Sequence, residues 1–182
     1  MTPADAAVRP VLTGKRVTLR PGGPGEAEIL HRIRAEPSVT CWWGEPEPIA
    51  EIAELLAATP TGEVMLVVEV DHAVAGAIQY AEELDPNYRH AGIDIFLSGE
   101  LQGQGIGSEA VWLLAKFLID ERKHHRLTID PAAANTRAIR CYERVGFRRV
   151  GVLRQYERGP DGTFHDGLLM DLLAADLTPA HQ

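Results

Sequence analysis

Two short stretches of the chain hold glycines and functional side chains at spacings suited to chemistry. The first, Gln102-Gly103-Gln104-Gly105-Ile106-Gly107, lies between an apolar run and a strongly periodic segment. Glycines let a backbone come close to a ligand, and the unpaired amides of a first helical turn favour an anion, so the loop is suited to cradle a pyrophosphate. No Lys-Ser/Thr pair follows it, and its spacing is not G-x-G-x-x-G, so neither a Walker loop nor a dinucleotide fingerprint is present. An ordinary strand-to-helix turn would use the same residues. The second stretch runs from Asn135 through Tyr142 to Gly146-Phe147 and offers an amide, a phenol and a helix stop. Two carboxylates, Asp94 inside an apolar run and Asp130 ahead of Pro131, and the ring pair Trp42-Trp43 complete the candidates.

Together the two stretches resemble the GNAT superfamily of acyl-CoA-dependent N-acetyltransferases, whose hallmarks are Q/R-x-x-G-x-G/A after the fourth strand and N-x-x-A-x-x-x-Y-x-x-x-G-F further on. Both patterns are complete and in order, and the resemblance spans about Arg16 to Leu173. It implies an α/β (α+β) fold of the GNAT acyl-CoA N-acyltransferase type, with a mixed central sheet of about seven strands flanked by about four helices. It also implies acetyl-CoA as co-substrate and no metal. The CoA pyrophosphate would fall to the amides around Gly103, Gly105, Gly107 and Ser108, with Gln102 steadying the loop and Gln104 and Ile106 within it. Phe96 and Leu97 would offer backbone groups to the pantetheine arm, and Asn135 a hydrogen bond to the same arm; a helix N-cap role for Asn135 is compatible with that. Tyr142 would protonate the departing thiolate. The driving force is small, because a phenol near pKa 10 must give its proton to a thiolate resembling cysteine, near 8.5. Cys141 points elsewhere on the helix and is expected in the core.

Within the superfamily the chain is most similar to aminoglycoside 6′-N-acetyltransferases, through Trp42-Trp43-Gly44, Gly92-Ile93-Asp94 and Asp130-Pro131. That similarity implies direct acetyl transfer to the 6′-amine of an aminoglycoside antibiotic, with Asp94 and Asp130 facing a cationic amino sugar. A carboxylate near pKa 3.9 is a poor base for an ammonium, so Asp94 needs a raised pKa or an intervening water. Trp42 and Trp43 stack on sugar rings or plug the edge of the core. The Tyr80–His90 connection is shorter than the acidic loop of that family, and Gln155–Asp166 is more similar to ribosomal-protein N-terminal alanine acetyltransferases. The Trp segment is also similar to siderophore-pathway lysine acyltransferases. These acceptors, and a GNAT-fold module that binds or sequesters without turnover, are the alternatives.

The elements that must position these residues follow from periodicity. Arg16–Arg20 alternates as a strand; Gly25–Ala35 has helical spacing and Pro37 ends it. A helix is expected over Ile49–Ala58, with Trp42-Trp43 in the loop before it. Val64–Val70, Val74–Tyr80 and Ala91–Leu97 read as strands, and Val111, Leu114, Ala115 and Leu118 mark a helix ending near Arg122. The basic run Arg122–Arg126 reads as cations favoured at that helix's C-terminus. Arg126–Asp130 is a strand stopped by Pro131, Ala138, Tyr142 and Val145 share a helix face that ends at Gly146, and Phe147–Leu153 and Phe164–Leu173 close the sheet.

With 182 residues, 45% hydrophobic and 24% charged, the chain suits one domain over 1–182, with flexible termini expected over 1–14 and 175–182. Eighteen Lys and Arg against 26 Asp and Glu give a net charge of −8, which disfavours nucleic acid and suits a small cationic amine acceptor. No apolar run approaches the ~18 residues of a membrane span. The N-terminus lacks the features of a secretory signal, so a cytoplasmic protein, monomer or homodimer, is expected. The two cysteines, Cys41 and Cys141, form neither a disulfide framework nor a metal cluster.

Overall fold

The computed structural model describes residues 8–57 and 63–179. In chain order it comprises β1 (Leu12–Thr13), β2 (Val17–Arg20), α1 (Ala27–Arg34), α2 (Pro37–Trp43), α3 (Ile49–Ala57), β3 (Glu63–Val70), β4 (Ala73–Glu83), β5 (His90–Leu97), α4 (Ile106–Asp120), β6 (Arg126–Ile129), α5 (Thr136–Val145), β7 (Arg148–Arg158) and β8 (Phe164–Leu173). The strands form one sheet in the order β1-β2-β3-β4-β5-β6-β8-β7. The mixed α/β architecture expected of the chain is therefore present, with eight strands and five helices among the described residues. The end of the helix expected over Ile49–Ala58 falls at Ala58, outside the described residues.

Three differences have physical causes. Pro37 does end α1, but its fixed φ and missing N–H also suit the first position of a new helix, so α2 begins on it. Glu36 is extended, as a residue before proline prefers. Trp42 and Trp43 thus close a helix where a loop was expected, and Gly44, at φ +71°, stops it. Secondly, the termini are tied down where they are described. Leu12 and Thr13 pair with Leu19 and Thr18, and the Val8 carbonyl accepts from the Tyr80 hydroxyl. At the other end the Thr178 amide donates to the Val145 carbonyl and the Thr178 carbonyl accepts from Trp112 Nε1 at 2.8 Å. Thirdly, α4 stops at Asp120, and Arg122 and His124 of the basic run turn inward to Glu82.

The central strands of the sheet are covered on both faces, while β7 is largely exposed. Ala91, Ile93 and Leu97 of β5 join α4 and α5 in one buried cluster, and Phe96, on the opposite face, joins α1, α2 and α3 in another. Period-two alternation therefore sends Asp94 to the α1–α3 face. Its cross-strand partner is Gln79. β5 and β6 run parallel and pair only at Ala91–Leu127 and Gly92–Thr128. Beyond that point the two strands part, so the second half of β5 presents a free edge to a cleft. No helix among the described residues is long and apolar enough to cross a membrane.

Candidate active site

The cleft has a volume of about 410 Å³ and opens between the diverging ends of β5 and β6. On one side stands the turn into α4. Gly103 and Gly105 have φ +79° and +86°, and a Cβ on either would meet open space, so these positions require glycine for backbone conformation and not for room. The first helical hydrogen bond, from the Glu109 amide to the Gly105 carbonyl at 3.1 Å, leaves the amides ahead of it without a helical acceptor. Gln102 Nε2 donates to the Leu97 carbonyl at 2.8 Å and fixes the loop to β5. Arg144 reaches the same place from α5, donating to Ser108 Oγ from Nη2 at 3.2 Å. Positive-φ glycines, unpaired helix-terminal amides and a guanidinium form a cradle that fits a pyrophosphate, and the free edge of β5 fits an amide-bearing arm.

On the other side stand carboxylates and rings. Asp94 faces the cleft and its pKa is pushed up to about 6, first by enclosure among protein groups and then by the charges of Asp130 and Glu63, against a hydrogen bond from Gln79. Asp130 follows the end of β6, and Tyr156 and Glu157 come from β7. Hydrogen bonding to Asp130, then burial, pushes the Tyr156 phenol up to about 12. Burial first, then Asp130, raises the Glu157 carboxyl above its ordinary value. Among the described residues none of Asp94, Asp130 and Glu157 has an ion-pair partner. Tyr142, buried on α5 at the junction of the two sides, is held protonated by burial and by nearby Cys141, Asp94 and Asp130.

Of the residues singled out in the sequence, Trp42, Trp43, Asp94, Phe96, Leu97, Gln102, Gly103, Gly105, Gly107, Ser108, Asp130, Asn135 and Tyr142 all line this cleft. Gln104 faces away, its carbonyl accepting from Arg16 at 3.1 Å, and the Ile106 side chain is fully buried. Asn135 caps α5 by accepting from the Ala138 amide at 3.1 Å. Trp43 packs edge-on against Phe96 beneath the Arg34 guanidinium, which makes it part of the core edge; Trp42 is half-buried on the cleft wall. Cys141 lies partly in the cleft, with burial raising its thiol pKa. Arg144, Tyr156 and Glu157 escaped the sequence reading. Glu36 did too: it accepts from Ser98 Oγ at 3.0 Å and the Gly99 amide at 2.6 Å, clamping the start of α2 to the end of β5.

The geometry agrees with what the chain is similar to. A family model described as acetyltransferase (GNAT) domain matches residues 16–148. The aminoglycoside N(6′)-acetyltransferase type 1 of Klebsiella pneumoniae is 29% identical over 167 residues, 80% of this chain and 79% of that protein. The spermidine N(1)-acetyltransferase of Escherichia coli K12 is 25% identical over 170 residues, 91% of this chain and 90% of that one. Among solved structures, Mycobacterium smegmatis RimJ in complex with CoA-disulfide superposes with a TM-score of 0.82 at 23% identity, over 98% of this chain and 93% of that one, a likeness of fold.

Proposed function

Because the chain belongs to the GNAT acetyltransferase family and is an N-acetyltransferase using acetyl-CoA, we propose that it carries the acetyl group to a primary amine of a polycationic acceptor, the 6′-amine of an aminoglycoside being the favoured case. The observation that carries this is the unpaired carboxylate group Asp94, Asp130 and Glu157 facing the loop–Arg144 cradle across one cleft. A cluster of carboxylates without ion-pair partners attracts and orients a ligand with several ammonium groups.

In this scheme the amides of Gly103 to Ser108 and Arg144 hold the pyrophosphate, and the edge of β5 at Phe96 and Leu97 aligns the arm that carries the thioester. Asp94 takes one proton from the bound ammonium, directly or through a water, which its raised pKa favours over that of an ordinary carboxylate. The freed amine attacks the thioester carbonyl, a C–N bond forms, and the C–S bond breaks with its electron pair leaving on sulfur. Tyr142, being protonated, donates a hydrogen bond to that sulfur and passes it a proton, to be replenished from the nitrogen, which must lose a second one. Its raised pKa makes it a weaker acid and a secure donor.

Spermidine is the second acceptor to test, since the polyamine enzyme resembles this chain over nine-tenths of its length. Acetyl-CoA turnover is to be measured with aminoglycosides, spermidine and an N-terminal peptide. Turnover on the first supports the proposal; turnover on the peptide alone overturns it.

A further inference from the structure

β7 contains an irregularity that the chemistry above leaves unused. Leu153 is paired with Gly167 and Glu157 with His165, so four steps along β7 are matched by two along β8. In a regular strand adjacent residues point to opposite faces, and only one of Tyr156 and Glu157 would meet the cleft. The two extra residues turn both toward it. Gln155, within the bulge, sits at φ +51°, in the left-handed region that side chains disfavour. Asp166 holds it there: its Oδ1 accepts from the Gln155 amide at 2.8 Å, while its backbone carbonyl accepts from the Ala133 amide at 2.8 Å. One residue thus ties the bulge to the segment that follows Asp130. The Tyr156 ring lies against Gly167, where a Cβ would come within 2.8 Å of it. The bulge is built at three points, and it delivers an unpaired carboxylate.

We propose that Glu157 is a specificity-determining residue that holds a second, non-reacting ammonium of the acceptor, and that Asp166 is the positioning residue that keeps it aimed. The inference rests on the amine-acceptor reading above. Asp94 suffices for the reacting amine; a further carboxylate that has His165 across the strand but no ion-pair partner distinguishes acceptors with several charges from those with one. Its contribution is to binding in ground and transition states alike.

The test compares an aminoglycoside with 6-amino-6-deoxyglucose, which keeps a reactive amine and lacks the other charges. Glu157→Gln should raise KM for the aminoglycoside about fivefold with kcat and the acetyl-CoA KM retained, lowering the preference for the multiply charged acceptor by the same factor. Asp166→Ala should reproduce that loss without touching Glu157. Asp166→Asn, which still offers an oxygen to the Gln155 amide, should restore the preference, and Glu157→Gln combined with Asp166→Ala should be no worse than either alone. A purely structural role would lower the melting temperature and leave the ratio unmoved. A wild-type enzyme active on both amines, with an unchanged ratio in Glu157→Gln, overturns this inference alone. A wild type inactive on both overturns the acceptor assignment and the inference with it. Should Asp166→Ala fail to fold, the Glu157→Gln ratio decides.

Discussion

Glu82 on β4 and Asp94 on β5 stand on neighbouring strands, three register positions apart, yet the protein drives their carboxyls in opposite directions. Burial alone would push Glu82 up, but His124 Nε2 at 2.7 Å and Arg122 at 2.8 and 2.9 Å donate to it and hold it at about 2. Asp94 receives enclosure and like charge in place of cations and sits at about 6. The first region spends its cations on the fold, closing the end of α4 onto the sheet. The second leaves its charge without an ion-pair partner, a place that the proposed function assigns to a ligand. Where a carboxylate is paired with protein cations it stabilises; where it is left without one beside a cleft it is available to take a proton or a cation.

The largest expected effect falls on the first region. Glu82→Gln leaves Arg122 and His124 facing a neutral group in a nearly dry site, and should destabilise by about 3 kcal/mol or more, measured by urea unfolding. Glu82's contribution is fully present above its ordinary pKa and fades as pH falls toward 2, so the difference between wild type and variant should shrink in acid. If the variant is as stable as wild type at pH 7, the contrast between the two regions is lost.

Asp94→Asn should break the second region differently. Removing the proposed proton acceptor should lower kcat by roughly 10²-fold. Because the folded pKa of Asp94 is raised, stability tied to it is present below its ordinary pKa and lost as pH rises through 6. The variant should therefore melt higher than wild type at pH 8 and no higher at pH 4, seen by calorimetry. A lower melting temperature at pH 8 would mean that Asp94 serves the fold as Glu82 does. Gly105→Val, a smaller perturbation outside both carboxylates, imposes a β-branched side chain at φ +86° and should weaken acetyl-CoA about tenfold by titration calorimetry, with the acceptor KM little changed.

What could be read in the sequence follows the same division. The glycine turn was legible because its demands are local: φ values of +79° and +86° admit glycine, and the two residues that meet them are only two positions apart. The framework of sheet and helices was legible from periodicity, except where Pro37 was given one meaning and has two. Resemblance, more than spacing, pointed to Asp94 and Asp130. Glu157 was out of reach, since its aim depends on a bulge whose left-handed residue is glutamine and whose latch, Asp166, lies across a hairpin. Arg144 was one arginine among several on α5, and only the packing of α5 against α4 selects it. Likewise the basic run after α4 gave no sign that two of its members turn back to β4.

The smallest effect sharpens the contrast most. Asp130 is a cause of the raised pKa of Asp94, second after enclosure. Asp130→Asn keeps shape and removes that charge, so Asp94 should ionise at lower pH. In the proposed scheme activity requires Asp94 ionised, and kcat/KM for wild type should therefore fall as pH drops through about 6. In the variant that acidic limb should move to lower pH, while KM for a polycationic acceptor rises about threefold because one attraction is gone. The two changes have opposite sense: a better-ionised base at pH 5 and a poorer grip on the acceptor at pH 7. Loss of grip alone, with the acidic limb fixed, would make Asp130 a binding residue uncoupled from Asp94. A limb that moves upward would show that Asp130 lowers the pKa of Asp94, and the view of this cleft as a set of mutually repelling carboxylates awaiting a cation would have to be given up.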